Sequence, residues 1–310
     1  MAALSIDDTL RQRPAVHMLC SGVFIQEHVW VTEDLVVVPL KALGFNAQAA
    51  YLAHYTTSVA GVPVDEGGLE SLRQQGKDSL PVAVFCRLCA VDASPEELER
   101  LAATDLDTAR QIIGWSSSNE VTPFGMLTLT SSQGYFRVLP PRENQRLRLG
   151  FGNTGVAFHT QIASLFQTAL RDERFAFALS LHHDALRETN QLFRAARFFN
   201  CLECLAAKLK AEAGGSRKAV KMLLGFQDGA TIEVAIAGQR YRYDPIEIAG
   251  RIRDKLWHGV PFKAEDLIVE TRSVFRLIQD HPETLADNLQ VHSELELARW
   301  VNGVSKGLRE

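Results

Sequence analysis

The segment Tyr243–Phe262 carries the clearest helix signals in the chain. It opens with Asp244, a residue type that caps the first turn of a helix, and with Pro245, whose fixed φ suits that turn. It closes at Gly259 and Pro261, which end a helix. Between these ends apolar residues recur at steps of three and four, as Ile248, Ala249, Ile252 and Leu256 do. The spacing predicts an amphipathic helix with one buried stripe and a charged opposite face.

Three polar side chains stand near the end of this predicted helix. Arg253 and His258 are five positions apart, which is about 140° around an ideal helix, so they do not share one face. A long arginine side chain or a second copy of the chain has to close that gap. Asp254 precedes His258 by four positions, where its carboxylate could orient the imidazole or pair with Arg251.

The order R-D-x-x-x-H-G at Arg253, Asp254 and His258 resembles the Arg-polar-x-x-x-His signature of the HEPN superfamily, small helical domains that include metal-independent RNases. The resemblance covers roughly residues 155 to 305 and includes the long predicted helix 187–211 ahead of the motif. It implies a homodimer in which two motif helices face each other and their Arg and His residues form one composite site. The strand-rich front and helical back also resemble the layout of antiphage proteins of the ApeA type.

The chemistry of such a site needs a base for the ribose 2′-hydroxyl, an acid for the leaving oxygen and positive charge for the phosphorane. His258 is the candidate acid or base, and the planar fork of Arg253 suits a phosphate. Glu203 lies among apolar neighbours of the preceding helix. Its carboxylate therefore needs a partner such as an arginine of another helix, either in a structural ion pair or as a site residue close to Arg253.

Two functions follow as expectations. The first is a metal-independent endoribonuclease of HEPN type in prokaryotic defence or toxin-like regulation, whose first half senses a trigger or positions the substrate. The second is a noncatalytic dimerisation or binding module, in which His258 only caps carbonyls and Arg253 and Asp254 form a surface ion pair. Neither expectation includes a cofactor or a metal.

The pattern of the whole chain predicts an α+β protein. Residues 1–150 are expected to form a sheet-containing domain, and residues 151–310 a helical bundle with a small hairpin within 231–245. Ser94 and Pro95 mark the start of a helix in the first domain. Strands are predicted by stretches rich in β-branched and aromatic residues, at 17–26, 28–40, 81–91 and 125–141.

The cysteine pairs and a histidine cluster could bind a metal or could belong to the protein core. Two Cys-x-x-Cys pairs could bind zinc together, but buried thiols in a strand and a helix are the favoured interpretation for Cys86, Cys89, Cys201 and Cys204. A metal site at His182, His183 and Asp184 is disfavoured, because adjacent histidines on a helix point apart.

Glycines and arginines give two further alternatives. Gly150, Gly152 and Gly155 spell G-x-G-x-x-G, yet helix follows helix after them, so a hinge or strand end is favoured over a dinucleotide site. Near the domain boundary, Arg142, Arg146 and Arg148 could hold RNA or could form the solvated face of a linker. On the hairpin, Arg240 and Arg242 could hold RNA or could be exposed side chains of an edge strand.

Composition limits the class of protein. The net charge is -4 and the pI is about 6.2, so any contact with RNA has to be local rather than spread over the surface. No apolar run approaches the ~20 residues of a membrane span, and acids occupy the N-terminal stretch where a signal peptide needs an apolar core. The odd count of five cysteines suits reduced thiols. We expect a cytoplasmic protein that does not engage a membrane.

Overall fold

The computed structural model describes residues 5–44, 55, 59, 79–90, 92–139, 156–260 and 272–308. Contacts between Cα atoms divide the chain into two compact units, Met1–Gln167 and Thr168–Glu310. A sheet lies in the N-terminal part and the C-terminal part is predominantly helical. The α+β prediction is therefore confirmed, whereas residue 150, where a domain boundary is predicted, lies outside the described residues.

The first unit contains a six-stranded antiparallel sheet in the order β2-β3-β4-β1-β5-β6. Central strand β1 is buried along its whole length, which is what a strand with neighbours on both sides and both faces covered requires. The strands are β1 (Ala15–Ser21), β2 (Val29–Thr32), β3 (Leu35–Gly44), β4 (Ser79–Leu88), β5 (Thr122–Leu129) and β6 (Gly134–Val138).

The first helix in the chain is the short α1 (Ile6–Leu10). The helix predicted from Ser94 is confirmed, since the Ser94 hydroxyl accepts a hydrogen bond from the Glu97 amide at 3.2 Å. This helix comprises α2 (Pro95–Leu101), a π-helical turn (Ala102–Leu106) and α3 (Asp107–Ser117). Helix α4 (Val156–Arg171) contains the division between the units.

The second unit is built around α6 (Gln191–Leu205), which packs against four other helices. Its buried side chains include Ala196, Phe199 and Leu202, whose spacing places them on one face of the helix. The neighbours of α6 are α5 (Glu173–Arg187), α8 (Ser216–Leu224), α9 (Pro245–Trp257) and α11 (Pro282–Val301). Helix α10 (Arg272–Asp280) precedes α11 and also contacts the hairpin.

The long helix predicted over 187–211 is interrupted. Helix α6 ends at Leu205, and a 3₁₀ turn (Ala207–Leu209) and the short α7 (Lys210–Ala213) follow. At the break, Gly307 of a C-terminal 3₁₀ turn (Lys306–Leu308) lies so near that a Cβ atom there would be 2.3 Å from the Leu205 carbonyl oxygen. A contact with a residue so distant in sequence leaves no signal around position 206.

The predicted hairpin is confirmed as β7 (Ile232–Ile236) and β8 (Gln239–Tyr243), which pair in antiparallel register. Both turn residues, Ala237 and Gly238, have positive φ, at 50° and 82°, as a tight type I′ turn needs. On β8, Tyr241 and Tyr243 are buried while the two arginines face solvent.

In the part of the chain that the structure describes, no helix combines the length and apolar content that crossing a membrane requires.

Candidate active site at the end of helix α9

Helix α9 begins and ends where the sequence predicts. The Asp244 side chain accepts hydrogen bonds from the amides of Ile246 and Glu247 at 3.1 and 3.0 Å, which satisfies two donors that the first turn leaves unpaired. His258 is the C-terminal cap, and Gly259 follows it with φ of +64°. A residue without a Cβ adopts that left-handed conformation at no steric cost. These two ends fix the position of His258 on the helix.

Arg253 lies between two carboxylates of the same chain. Its Nη2 is 2.9 Å from Oε2 of Glu203 on α6, and its Nη1 is 2.9 Å from Oδ1 of Asp254. The guanidinium carbon lies 5.3 Å from the ring centroid of Phe199, a distance at which a cation is attracted to the ring face. The side chain is 19% exposed. The predicted pairing of Glu203 with an arginine of another helix is confirmed.

One donor of Arg253 remains unused. Its Nε atom is buried and has no hydrogen-bond partner among the described residues. The two paired nitrogens hold the plane of the guanidinium against α6, and the exposed fraction of the side chain is all that a ligand can reach. The group is therefore preorganised but already neutralised by two acids.

Asp254 connects Arg253 to a second arginine. Its Oδ2 accepts a hydrogen bond from Nη1 of Arg217 on α8 at 2.9 Å. Nε of Arg217 lies 3.3 Å from Glu247, one turn before Gly250 on α9. We call Glu203, Arg253, Asp254, Arg217 and Glu247 the ion-pair network; its charges alternate in sign and it joins α6, α8 and α9.

The imidazole of His258 stands apart from this network. It is exposed, and no hydrogen bond or ion pair links it to the described residues. Of the two roles predicted for Asp254, orienting the imidazole therefore has no contact to support it here, because the Asp254 oxygens face Arg253 and Arg217. Trp257 and Val260 beside His258 are 55% and 42% exposed. The end of α9 thus presents an exposed imidazole that has large apolar neighbours and no side-chain partner among the described residues.

The other histidine candidates are core residues. His182 and His183 on α5 are buried, and Nδ1 of His182 lies 2.9 Å from the Ser293 hydroxyl. Burial lowers the pKa of His182 to about 3, and the nearby Arg194 charge acts in the same direction. The ring is therefore neutral at physiological pH and is enclosed away from any substrate.

Each Cys-x-x-Cys pair has one buried thiol, while Cys89 and Cys204 are partly exposed. Cys86 is buried on β4 and Cys201 on α6, and burial raises the thiol pKa of Cys86 to about 12 and that of Cys201 well above its usual range. Within the described ranges no group of three or more His, Cys, Asp or Glu residues could hold a metal ion.

The glycine motif at 150–155 and the arginines at 142–148 lie outside the described residues.

Arg217 and Gly250 are site residues that sequence reasoning missed. A Cβ atom at Gly250 would lie 2.6 Å from Cγ and Cδ of Arg217 and 3.2 Å from Cζ of Phe199. The lone signal was Gly250 itself, because a glycine in the middle of a helix costs about 1 kcal/mol relative to alanine and usually has a packing reason.

Comparisons with protein-family models, with curated proteins and with solved structures found no match.

Proposed function

We propose that the C-terminal half is a metal-independent endoribonuclease of HEPN type that acts as a homodimer in prokaryotic defence or toxin-like regulation. Its site is composite, with Arg253 and His258 contributed by two protomers. The cytoplasm, where RNA substrates are present, is the proposed location.

The observation that carries the proposal is the contrast between the two motif side chains at one helix end. Arg253 is held rigidly by Glu203 and Asp254, as a phosphate ligand has to be to stabilise a transition state without reorganisation. His258 is exposed and unpartnered among the described residues, as an acid or base waiting for a substrate has to be. A histidine that only served the fold would not need that freedom.

The apolar surroundings of His258 support a partner protomer at this end of α9. Trp257 is 55% exposed, an unusual state for the largest apolar side chain. Exposed tryptophan is typical of residues that become buried in an interface. A second copy related by two-fold symmetry would bring its own Trp257 and His258 to the same place. The partner protomer then closes the gap of about 140° that separates Arg253 from His258 around α9.

The reaction balances without a metal. One His258 removes the proton of the ribose 2′-hydroxyl, whose oxygen attacks the adjacent phosphorus. The bond between phosphorus and the 5′-oxygen breaks, and the other His258, protonated, donates to that oxygen. Arg253 stabilises the negative charge on the phosphorane. The products are a 2′,3′-cyclic phosphate and a 5′-hydroxyl end. Glu203 and Asp254 act through Arg253 in this scheme and do not touch the substrate.

A second function is favoured by one observation. Both Nη atoms of Arg253 already face carboxylates of the same protomer, as those of an arginine in a structural ion pair do. In a noncatalytic dimerisation or binding module the ion-pair network would only join three helices, and Trp257 would serve a protein partner.

RNA cleavage by the purified protein in EDTA distinguishes the two functions. The parent is compared with His258→Ala and Arg253→Ala at matched concentrations of folded protein. Two control variants are His281→Ala, a half-exposed histidine whose ring nitrogen lies 3.5 Å from Glu283, and Arg197→Ala, whose pair with Glu188 lies elsewhere on α6.

The endoribonuclease predicts cleavage that persists in EDTA, ends in a cyclic phosphate, and falls by at least about a hundredfold in His258→Ala and Arg253→Ala. Both control variants retain it. An intact parent dimer that cleaves none of a varied set of RNAs would instead support the binding module.

A further inference from the structure

We infer that Arg217 is a positioning residue of the proposed site, which holds Asp254 and through it the Arg253 guanidinium. Its catalytic consequence rests on the proposed function. Arg217 lies outside the R-D-x-x-x-H motif, 37 positions before Asp254, and reaches it from a different helix.

The path of the Arg217 side chain is fixed by the surface of α9. Its stem crosses α9 at Gly250, where a Cβ atom would lie 2.6 Å from both Cγ and Cδ. Its guanidinium then lies between two carboxylates: Nε is 3.3 Å from Oε2 of Glu247, and Nη1 is 2.9 Å from Oδ2 of Asp254. Positions 247, 250 and 254 follow the three-and-four spacing of one helix face. Gly250 thus opens a groove in which the arginine lies along the helix.

The consequence for Arg253 follows from how Asp254 is shared. One carboxylate oxygen contacts Arg217 and the other contacts Arg253. Asp254 is 44% exposed, so without Arg217 its side chain is free to rotate toward water or toward another cation. Arg253 would then keep only Glu203 as a hydrogen-bonding partner, and its second Nη would lose its fixed direction. A displacement of this kind lowers the rate of the chemical step more than it weakens substrate binding.

The local charge gives Arg217 a second effect in the same direction. Asp254 and Glu203 place two negative charges beside the single positive charge of Arg253. The positive charge of Arg217 offsets the negative charge of Asp254, so the electrostatic potential at Arg253 is more favourable for a phosphate. Lysine can supply the charge of Arg217 but cannot bridge two carboxylates with a planar fork. The two effects can therefore be separated by substitution.

The test uses the full chain in three variants. Arg217→Gln removes charge and fork, Arg217→Lys retains the charge, and Gly250→Ala fills the groove from the opposite side. The matched control is Arg197→Gln, because Arg197 is 35% exposed and pairs with Glu188, as Arg217 is 36% exposed and pairs with Glu247. Cleavage of a fluorogenic RNA in EDTA gives kcat and KM separately. The ¹H–¹⁵N resonance of Arg253 Nε reports the position of the guanidinium directly, since that nitrogen is buried beside the two ion pairs.

We expect Arg217→Gln to lower kcat on the order of tenfold to a hundredfold with KM nearly unchanged, and to shift the Arg253 resonance. Arg217→Lys recovers part of kcat, Gly250→Ala moves the resonance in the same direction as Arg217→Gln, and Arg197→Gln changes neither. An unchanged resonance and kcat in Arg217→Gln would overturn the inference. If the parent cleaves no RNA, the proposed function fails and the resonance alone decides: a shift supports the positioning role, and its absence refutes it.

Discussion

Neutralising Glu203 is the substitution that probes the ion-pair network most simply. Glu203→Gln removes the negative charge 2.9 Å from Nη2 of Arg253 while keeping a side chain of the same shape. Lys210 lies 4.0 Å from the same carboxylate and is largely exposed, so it loses little. Arg253 is left with one acidic partner and a buried Nε that has no hydrogen bond to a described residue. The variant therefore destabilises the fold through Arg253.

The magnitude follows from the burial of the pair. Arg253 and Glu203 are 19% and 25% exposed, between the surface pairs that contribute at most about 1 kcal/mol and the buried pairs whose disruption costs about 3–5 kcal/mol. We expect Glu203→Gln to lower the free energy of unfolding by about 1–2 kcal/mol. Glu233→Gln is the control, because its pair with Arg240 is 3.4 Å long and mostly exposed; it should have a smaller effect.

Urea denaturation of Glu203→Gln, Arg253→Gln and the double variant measures the coupling between the two residues at one protein concentration. We expect a coupling energy of about 1–2 kcal/mol and unchanged dependence of the unfolding free energy on urea. Additive effects of the two single variants, with a coupling below about 0.5 kcal/mol, would refute the view that Glu203 holds Arg253.

Three further predictions concern the same half of the chain. First, His182 is neutral when folded, with a pKa of about 3, but protonates near pH 6.5 when unfolded; His182 should therefore contribute about 2 kcal/mol to the fall in the free energy of unfolding as the pH drops from 7 to 5, and urea titrations of His182→Gln should lack that contribution. Second, Gly307→Ala should destabilise by about 1–3 kcal/mol in thermal or urea unfolding, because the new Cβ would lie 2.3 Å from a backbone oxygen that cannot move aside; an unchanged midpoint would contradict this packing. Third, Trp257→Ser should weaken the proposed dimer by about 2 kcal/mol or more, seen as a shift toward monomer in light scattering on dilution; a monomeric parent would contradict the proposed interface.

Local signals made the ends of α9 predictable. Asp244, Pro245 and Gly259 act within one turn of themselves, through side-chain capping, a fixed φ and a left-handed residue, so their effect can be deduced from a few neighbouring letters. The hairpin was predictable for the same reason, since alternation and a glycine turn are contained within about a dozen residues.

Contacts between distant segments set the limit of prediction. Burial required a cation for Glu203, and the motif directed attention to Arg253, but nothing around position 217 indicates that Arg217 would reach Asp254. At the break after Leu205 the chain lies close to Gly307, where a Cβ atom would be 2.3 Å from the Leu205 carbonyl oxygen. Both contacts join segments that are far apart in sequence, so local propensity does not reveal them.

The role of Asp254 illustrates how an ambiguous motif residue is decided by its surroundings. Its spacing from His258 suits a contact with the imidazole as well as any other role. Two arginines within hydrogen-bonding distance, one on a neighbouring helix, compete more strongly for the carboxylate than an exposed ring does. Spacing within one helix could not reveal that competition.

The most direct test of the composite site is RNA cleavage, in EDTA, by a mixed dimer of one Arg253→Ala and one His258→Ala protomer. The two chains are co-expressed with different affinity tags and purified through both. Each variant alone lacks either both guanidinium groups or both imidazoles, whereas the mixed dimer holds one of each. The single imidazole that remains can take the 2′-hydroxyl proton and then return it to the leaving oxygen, so we expect the mixed dimer to cleave RNA more slowly than the parent but well above either variant dimer. A parent that cleaves RNA while the mixed dimer is as inactive as the variants would contradict a site shared between two protomers.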